Sequence, residues 1–187
     1  MPPTFEIVSN LPHDALATLW GGLESRANPP FFLSWDWIGG WIETAGIQPA
    51  ILVGREGGAV VLLAALVPAT RKSPLGVPVH GLHLNATGLA ANDIITVEYN
   101  GFMVAPDWAG KIEAAAIAFL LNGISIAGHR RDELHMKTAA ATIYAALAAS
   151  GVRFNEVQRK PSFRIDLEAV RQSGKSYLDT LSANTRQ

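Results

Sequence analysis

The sequence predicts an α+β (mixed α/β) protein, in which a central, mixed but largely antiparallel sheet is flanked by helices. Three observations lead there. Two aliphatic, β-branched runs, Ala50 to Val53 and Val60 to Val67, are joined by Arg55-Glu56-Gly57-Gly58, whose glycines accept the positive φ of a tight hairpin turn. Helical spacing recurs on both sides of this hairpin, without the regular strand–helix alternation of a doubly wound parallel sheet. Finally, 49% hydrophobic against 17% charged residues over 187 positions gives enough apolar surface to offset ordering entropy and fill a core.

The elements follow in order. Phe5 to Val8 alternates apolar and polar as a short first strand. Leu16, Leu19, Trp20 and Leu23 recur at helical spacing after Asp14, until Asn28-Pro29-Pro30 stops the helix. Phe31-Phe32-Leu33 reads as a buried connector. Ser34 suits the N-cap of a second helix with Trp37, Ile38, Trp41 and Ile42 on one face and Gly46 as its C-terminal signal. Trp35 falls elsewhere on that helix.

Beyond the hairpin, Val77 to Leu84 is a strand with Val79, Gly81 and His83 on one face and His80, Leu82 and Leu84 on the other. Ile94 to Val104 reads as a further strand interrupted at Asn100-Gly101, and Asp107 as the cap of a helix carrying Ile112, Ala115, Ala116, Phe119 and Leu120. Glu133 to Lys137 is a short strand, Thr138 to Ala149 an Ala-rich helix closed by Ser150-Gly151, and Val152 to Arg159 extended. Phe163, Ile165 and Leu167 alternate with Arg164 and Asp166 as a half-buried strand, and Ser176 to Gln187 reads as helical.

Composition narrows the function. Lys and Arg number 15 against 16 Asp and Glu, for a net charge of -1, and no basic stripe argues for nucleic acid or an anionic membrane surface. The absence of cysteine removes disulfides, thiolate chemistry and Cys-based zinc sites. No export signal opens the chain, and the uncharged run from Ala114 up to the charge at Arg130 is broken by Asn122, Gly123 and Gly128, short of the ~20 apolar residues of a membrane span. The expectation is a cytoplasmic protein.

Several catalytic signatures come close and fail. Gly123-Ile124-Ser125-Ile126-Ala127 approximates a nucleophile elbow, but Ser125 follows a helix instead of a strand. Gly174-Lys175-Ser176 imitates the end of a phosphate-binding loop, with Ala169 where that loop needs glycine. His129, Asp132, Glu133 and His135 crowd together without the spacing of a metal motif, so no metal is expected there. His80 and His83 lie on opposite faces of a strand and cannot readily share an ion.

Two polar patches remain. One runs from Leu84-Asn85-Ala86-Thr87-Gly88 to Thr96-Val97-Glu98-Tyr99-Asn100-Gly101-Phe102, where alternation puts Glu98 and Asn100 on one face and Tyr99 with Val97 on the other. It lines a cleft for a polar acceptor or forms a partly exposed sheet edge with a glycine bulge. The other is Trp35, Trp37 and Trp41, which is core and interface material or a ligand platform.

Taken together, Phe32-Leu33-Ser34-Trp35-Asp36-Trp37 with Trp41, the hairpin Ile51 to Gly58, Leu84-Asn85-Ala86-Thr87-Gly88 and Glu98-Tyr99-Asn100-Gly101-Phe102 resemble GNAT-type acetyltransferases of the CelD-like cellulose biosynthesis family. The tail, Phe163 to Leu167 and Ser176 to Gln187, is similar to the segment leading into that family's second half. The resemblance implies a two-lobe architecture like that of FemAB-like aminoacyltransferases. Residues 1–187 would form a single GNAT-like N-terminal lobe, with 176–187 beginning a helix towards a C-terminal lobe missing from this chain. It implies acetyl-CoA or another acyl-CoA as cofactor, a small-molecule, saccharide or amine acceptor, and a link to exopolysaccharide or cellulose biosynthesis.

On that basis Asn85, Glu98, Tyr99, Asn100, Trp35 and Trp37 are candidate substrate-binding residues. The family's Gly-rich pyrophosphate turn, R/Q-x-x-G-x-G/A at a helix N-terminus, has no counterpart. Arg55-Glu56-Gly57-Gly58 carries its glycines in the wrong frame, and no glycine follows Gln158 or Arg159 closely. The expectation is therefore an acyltransferase whose isolated chain holds no cofactor loop and is inactive. The alternative is a non-catalytic interaction domain docking through Trp35, Trp37 and Glu98 to Phe102.

Overall fold

A computed structural model describes residues 2–93, 97–122, 124–126, 129–131, 133–137, 139–158 and 165–180. The chain divides into two compact units, Met1–Arg153 and Phe154–Gln187. In the first, β1 (Thr4–Val8) is followed by α1 (His13–Ala27), a 3-10 turn (Phe31–Leu33) and α2 (Trp35–Ala45). The chain continues through β2 (Ala50–Glu56), β3 (Ala59–Lys72), β4 (Pro78–Leu84), β5 (Met103–Val104), a 3-10 turn (Pro106–Trp108) and α3 (Glu113–Leu121). The strands β6 (Ser125–Ile126), β7 (His129–Arg130) and β8 (Glu133–His135) lead to α4 (Ala141–Ser150). In the second unit lie α5 (Leu167–Gln172) and α6 (Tyr177–Thr180).

The main sheet runs β1-β2-β3-β4-β8, with β5 also on β3, and only β4–β8 is parallel. This is the mixed, largely antiparallel sheet that the sequence predicts. The hairpin closes at Gly57 and Gly58, whose φ values of 55° and 86° are those of a two-residue turn matched to strand twist. α1 buries Leu16, Trp20 and Leu23 and ends at Asn28, which sits left-handed at φ 45° ahead of the two prolines. Burial of each such large side chain contributes about 1.5–3 kcal/mol. The Trp20 indole also donates to Leu33 O at 2.9 Å.

α2 begins where the sequence places it. Ser34 Oγ accepts from Trp37 N, Glu24 Oε2 of α1 accepts from Trp35 N at 2.7 Å, and Gly46 ends the helix at φ 60°. The preceding connector departs from expectation: Leu33 is buried, but Phe31 is 60% exposed because the tight 3-10 turn points successive rings in different directions.

β3 decides where a site can form. Val61 to Leu66 are all buried, so both faces of this half are covered, whereas Pro68 and Thr70 to Lys72 are exposed. β2 stops opposite Leu66, which leaves β3 an open edge where Pro68 is tolerated. The register puts Phe5, Gly54 and Leu62 on one face, where the Phe5 ring stacks on Phe119 of α3 at 5.5 Å. By alternation Val67, Ala69 and Arg71 lie on the opposite face.

Three elements differ from the sequence reading. Residues 94–96 lie outside the described residues, and 97–102 form a turn instead of a strand. Tyr99 has φ 54°, which breaks the alternation: Glu98 and Tyr99 are exposed while Asn100 is buried, so Glu98 and Asn100 share no face. Asp107 lies inside the 3-10 turn and caps no helix, and α3 starts after Gly110 at φ 75°. Leu167 opens a helix, not a strand, because Asp166 Oδ1 accepts from Ala169 N at 2.9 Å as an N-cap; the Phe163 and Arg164 part of that reading lies outside the described residues. The helix read over 176–187 is seen at Tyr177–Thr180, and 181–187 lie outside the described residues.

Candidate functional site

Where the aliphatic half of β3 ends, a cleft of about 530 Å³ opens on the sheet face. Its floor is Val67, Ala69 and Arg71 of β3, Val79, Gly81 and His83 of β4, and His135 of β8; its wall is the loop from Thr87 to Asn92. Alternation and register dictate the floor: Val67 pairs with His83, Ala69 with Gly81, and His83 with His135. The volume suits a small organic molecule.

The two imidazoles stack, with centroids 4.9 Å apart and planes at 23°. Glycine makes room for both. A Cβ on Gly81 would lie 3.1 Å from the His135 ring, and one on Gly88, at φ 78°, would lie 2.4 Å from His83 Nε2. Burial holds His83 below the ordinary imidazole range, His135 and Lys137 add to that effect, and Asp93 opposes it. His83 is therefore neutral at pH 7.

Glu133 stands two positions before His135 on the same face. It takes both Nε and Nη2 of Arg71, with Nε at 2.9 Å, and lies 3.2 Å from His135 Nε2. Arg71 reaches it from β3, across the intervening strand β4. The guanidinium hydrogen bond holds the Glu133 carboxyl below its usual range.

The wall is anchored by Asp93. Its Oδ1 accepts from Thr87 N at 2.8 Å and Thr87 Oγ1 at 2.7 Å, and its Oδ2 accepts from Gly88 N at 2.9 Å and Lys137 Nζ at 2.8 Å. Burial alone would raise this carboxyl, but the hydrogen bonds from Lys137 and Thr87 outweigh it and hold it low.

Asn85 and Asn100 meet at the end of β4. Asn85 Oδ1 accepts from Ala65 N at 2.9 Å, and its Nδ2 donates to Asn100 Oδ1 at 2.9 Å and Gly101 O at 2.8 Å. Asn100 Nδ2 returns a bond to Leu84 O at 2.7 Å. The pair fastens the point at which β4 leaves β3 and β5 takes over the same edge, and neither residue lines the cleft. Glu98 and Tyr99 sit exposed on the preceding turn.

The candidate tryptophans separate as well. Trp35 faces Trp20 and His13 at 6.4 and 5.2 Å and lies against Gly39, while Trp37 packs edge-on to Phe31 and Phe32 at 5.2 and 4.8 Å. His80 turns to Thr70, 3.0 Å away, on the face opposite His83, as alternation requires. No group of three metal-ligating side chains occurs among the described residues; Asp132 lies outside them, and nothing is described of the Ser125 and His129 side chains.

His83 and His135 are the residues that sequence reasoning missed. The signal was faint: His83 follows Gly81 by two positions, His135 follows Glu133 by two, and only the parallel register of β4 and β8 makes them neighbours.

No family model and no curated protein matches this sequence. Solved structures similar to it include an acetyltransferase of Trypanosoma brucei, at 18% identity and TM-score 0.43, with 86% of this chain and 100% of that one covered. A glucosamine-6-phosphate N-acetyltransferase of Arabidopsis thaliana follows at 14% identity and TM-score 0.45, covering 86% and 99%. An integron cassette protein from the mobile metagenome of V. cholerae has 12% identity and TM-score 0.46, covering 94% and 99%. No helix among the described residues is long and apolar enough to cross a membrane.

Proposed function

We propose that this chain serves acyl-CoA-dependent N-acyl transfer of the GNAT kind and that it supplies the acceptor side of the reaction. The observation that carries this reading is the cleft. Its apolar floor of Val67, Ala69 and Val79 is interrupted by two adjacent imidazoles, one of them held neutral by burial. Such a site suits an acceptor that must give up a proton before it attacks a thioester. Asn85 and Asn100 enter as positioning residues, since their clasp fixes the backbone from which the Thr87–Gly88 wall departs.

The resemblance to CelD-like proteins extends the reading to a saccharide amine as acceptor, in exopolysaccharide or cellulose biosynthesis, and to a second lobe that holds acyl-CoA. The start of α3 supports that division. The Glu113 carboxylate, which accepts from Gly110 N at 2.9 Å, puts negative charge in the first turn of the helix, where a pyrophosphate would be repelled. Glu98 and Tyr99, exposed on their turn, are proposed as outer contacts for an acceptor or for that lobe.

Two titrations test this. Calorimetry with acetyl-CoA is expected to show no binding tighter than about 100 μM to these residues alone, and micromolar binding would overturn the assignment of the cofactor to another lobe. Glucosamine is expected to shift the ring resonances of His83 and His135 in NMR spectra. If it leaves both unmoved, the acceptor reading fails. The second reading, a non-catalytic interaction domain, draws on the Phe31, Phe32 and Trp37 rings, of which Phe31 is exposed. It becomes the better one in that case.

A further inference from the structure

Glu133 and His135 make a close pair. The ionised carboxylate can only accept, so the nitrogen facing it, His135 Nε2 at 3.2 Å, carries the hydrogen of the neutral ring. The lone pair is then on Nδ1. Nε2 and Cδ2 are also the ring atoms nearest Gly81, so Nδ1 lies on the edge turned away from that glycine. Arg71 holds Glu133 in place through two hydrogen bonds, and stacking on His83 fixes the plane of the ring.

We propose that His135 is the proton acceptor of the cleft, taking a proton on Nδ1 from a primary amine bound over the floor, with Glu133 and Arg71 as positioning residues that fix its tautomer. The amine as ligand class rests on the acyl-transfer reading. In that step the amine nitrogen attacks the carbonyl carbon of an acyl thioester, the N–C bond forms, and the C–S bond breaks with its electron pair on sulfur. The amine proton passes to His135 Nδ1 and from there to the leaving thiolate, which departs as a thiol. Glu133 stabilises the imidazolium formed in between, as the carboxylate of a hydrolase triad does. The other charged and titratable groups beside the two rings are Arg71 on β3, His83 on β4, and Asp93 and Lys137 next to His83.

Long-range proton–nitrogen correlation of the histidine rings in the whole chain tests the assignment. Neutral His135 is expected as the Nε2–H tautomer by about 10:1 or more, and that ratio is expected to fall about tenfold in Glu133→Ala. An Nδ1–H tautomer in the unmodified protein, or a ratio unmoved by Glu133→Ala, overturns the inference. The unmodified protein decides the matter by itself if Glu133→Ala does not fold. The two readings fail separately. A wrong tautomer together with a glucosamine response overturns the role of His135 and leaves the acceptor cleft, whereas the expected tautomer with no glucosamine response overturns the amine acceptor, and the proton transfer with it, and leaves only the tautomer set by Glu133.

Discussion

Replacing Asn85 by alanine removes more than one hydrogen bond. The side chain is 2% exposed, and its loss strands Ala65 N–H, Gly101 O and Asn100 Oδ1, none of which can turn to water. Each orphaned buried group costs about 1–3 kcal/mol, so the three cost about 3–9 kcal/mol together. Alanine must also adopt the left-handed backbone that asparagine tolerates at φ 45°, which adds about 1 kcal/mol. The sum, about 4–10 kcal/mol, is a large part of the ~5–15 kcal/mol that holds a domain together. Urea denaturation measures it as a fall in midpoint at constant slope. Asn85→Gly loses the same bonds without the backbone strain and is expected to recover about 1 kcal/mol over Asn85→Ala. A loss below about 1.5 kcal/mol for Asn85→Ala would refute the reasoning, since it would mean that the stranded groups find other partners.

Four further outcomes are expected. Gly88→Ala puts a methyl within 2.4 Å of His83 Nε2 at a φ of 78°, so His83 is displaced; the ring-current shifts of the His83–His135 stack disappear and about 1–2 kcal/mol of stability is lost. Stability falls with acid in two stages. His83 is depressed in the folded state, so its contribution is full above the unfolded value near 6.5 and is lost as pH falls from there through the folded value. Asp93 and Glu133 are likewise depressed, and their contributions are lost below about pH 4; thermal melts from pH 8 to pH 3 that stay flat would contradict all three. Ser34→Ala costs about 0.5–1 kcal/mol by urea melt, at the low end for a cap because the Oγ to Trp37 N distance is 3.4 Å. Glu133→Gln leaves the urea midpoint nearly unchanged, since Arg71 is half exposed and solvent screens the pair, yet it loosens the ring of His135 by weakening that anchor.

Local chemistry made much of the fold legible. Gly57-Gly58, Ser34, Gly46 and Gly151 mark turns and caps through backbone preferences that act over a few residues, and the helical spacing of Leu16, Trp20 and Leu23 exposes a buried stripe directly. The misreadings fall where a distant partner overrides that local signal. Thr96 to Phe102 has the alternation of a strand, but Asn100 is pulled inward by Asn85 and Leu84, and the chain bends at Tyr99 to let it in.

The candidate site divides in the same way. Strand alternation alone put His83 on the face opposite His80. What the sequence could not contain is the neighbour of His83. A crossover through α3 brings Glu133 to His135 alongside β4, and the parallel register seats His135 beside His83 and Glu133 beside Gly81, within reach of Arg71. Pairing of residues that far apart is settled by packing of the whole sheet, because hydrogen-bonded strands carry no code for their partners beyond shape and burial.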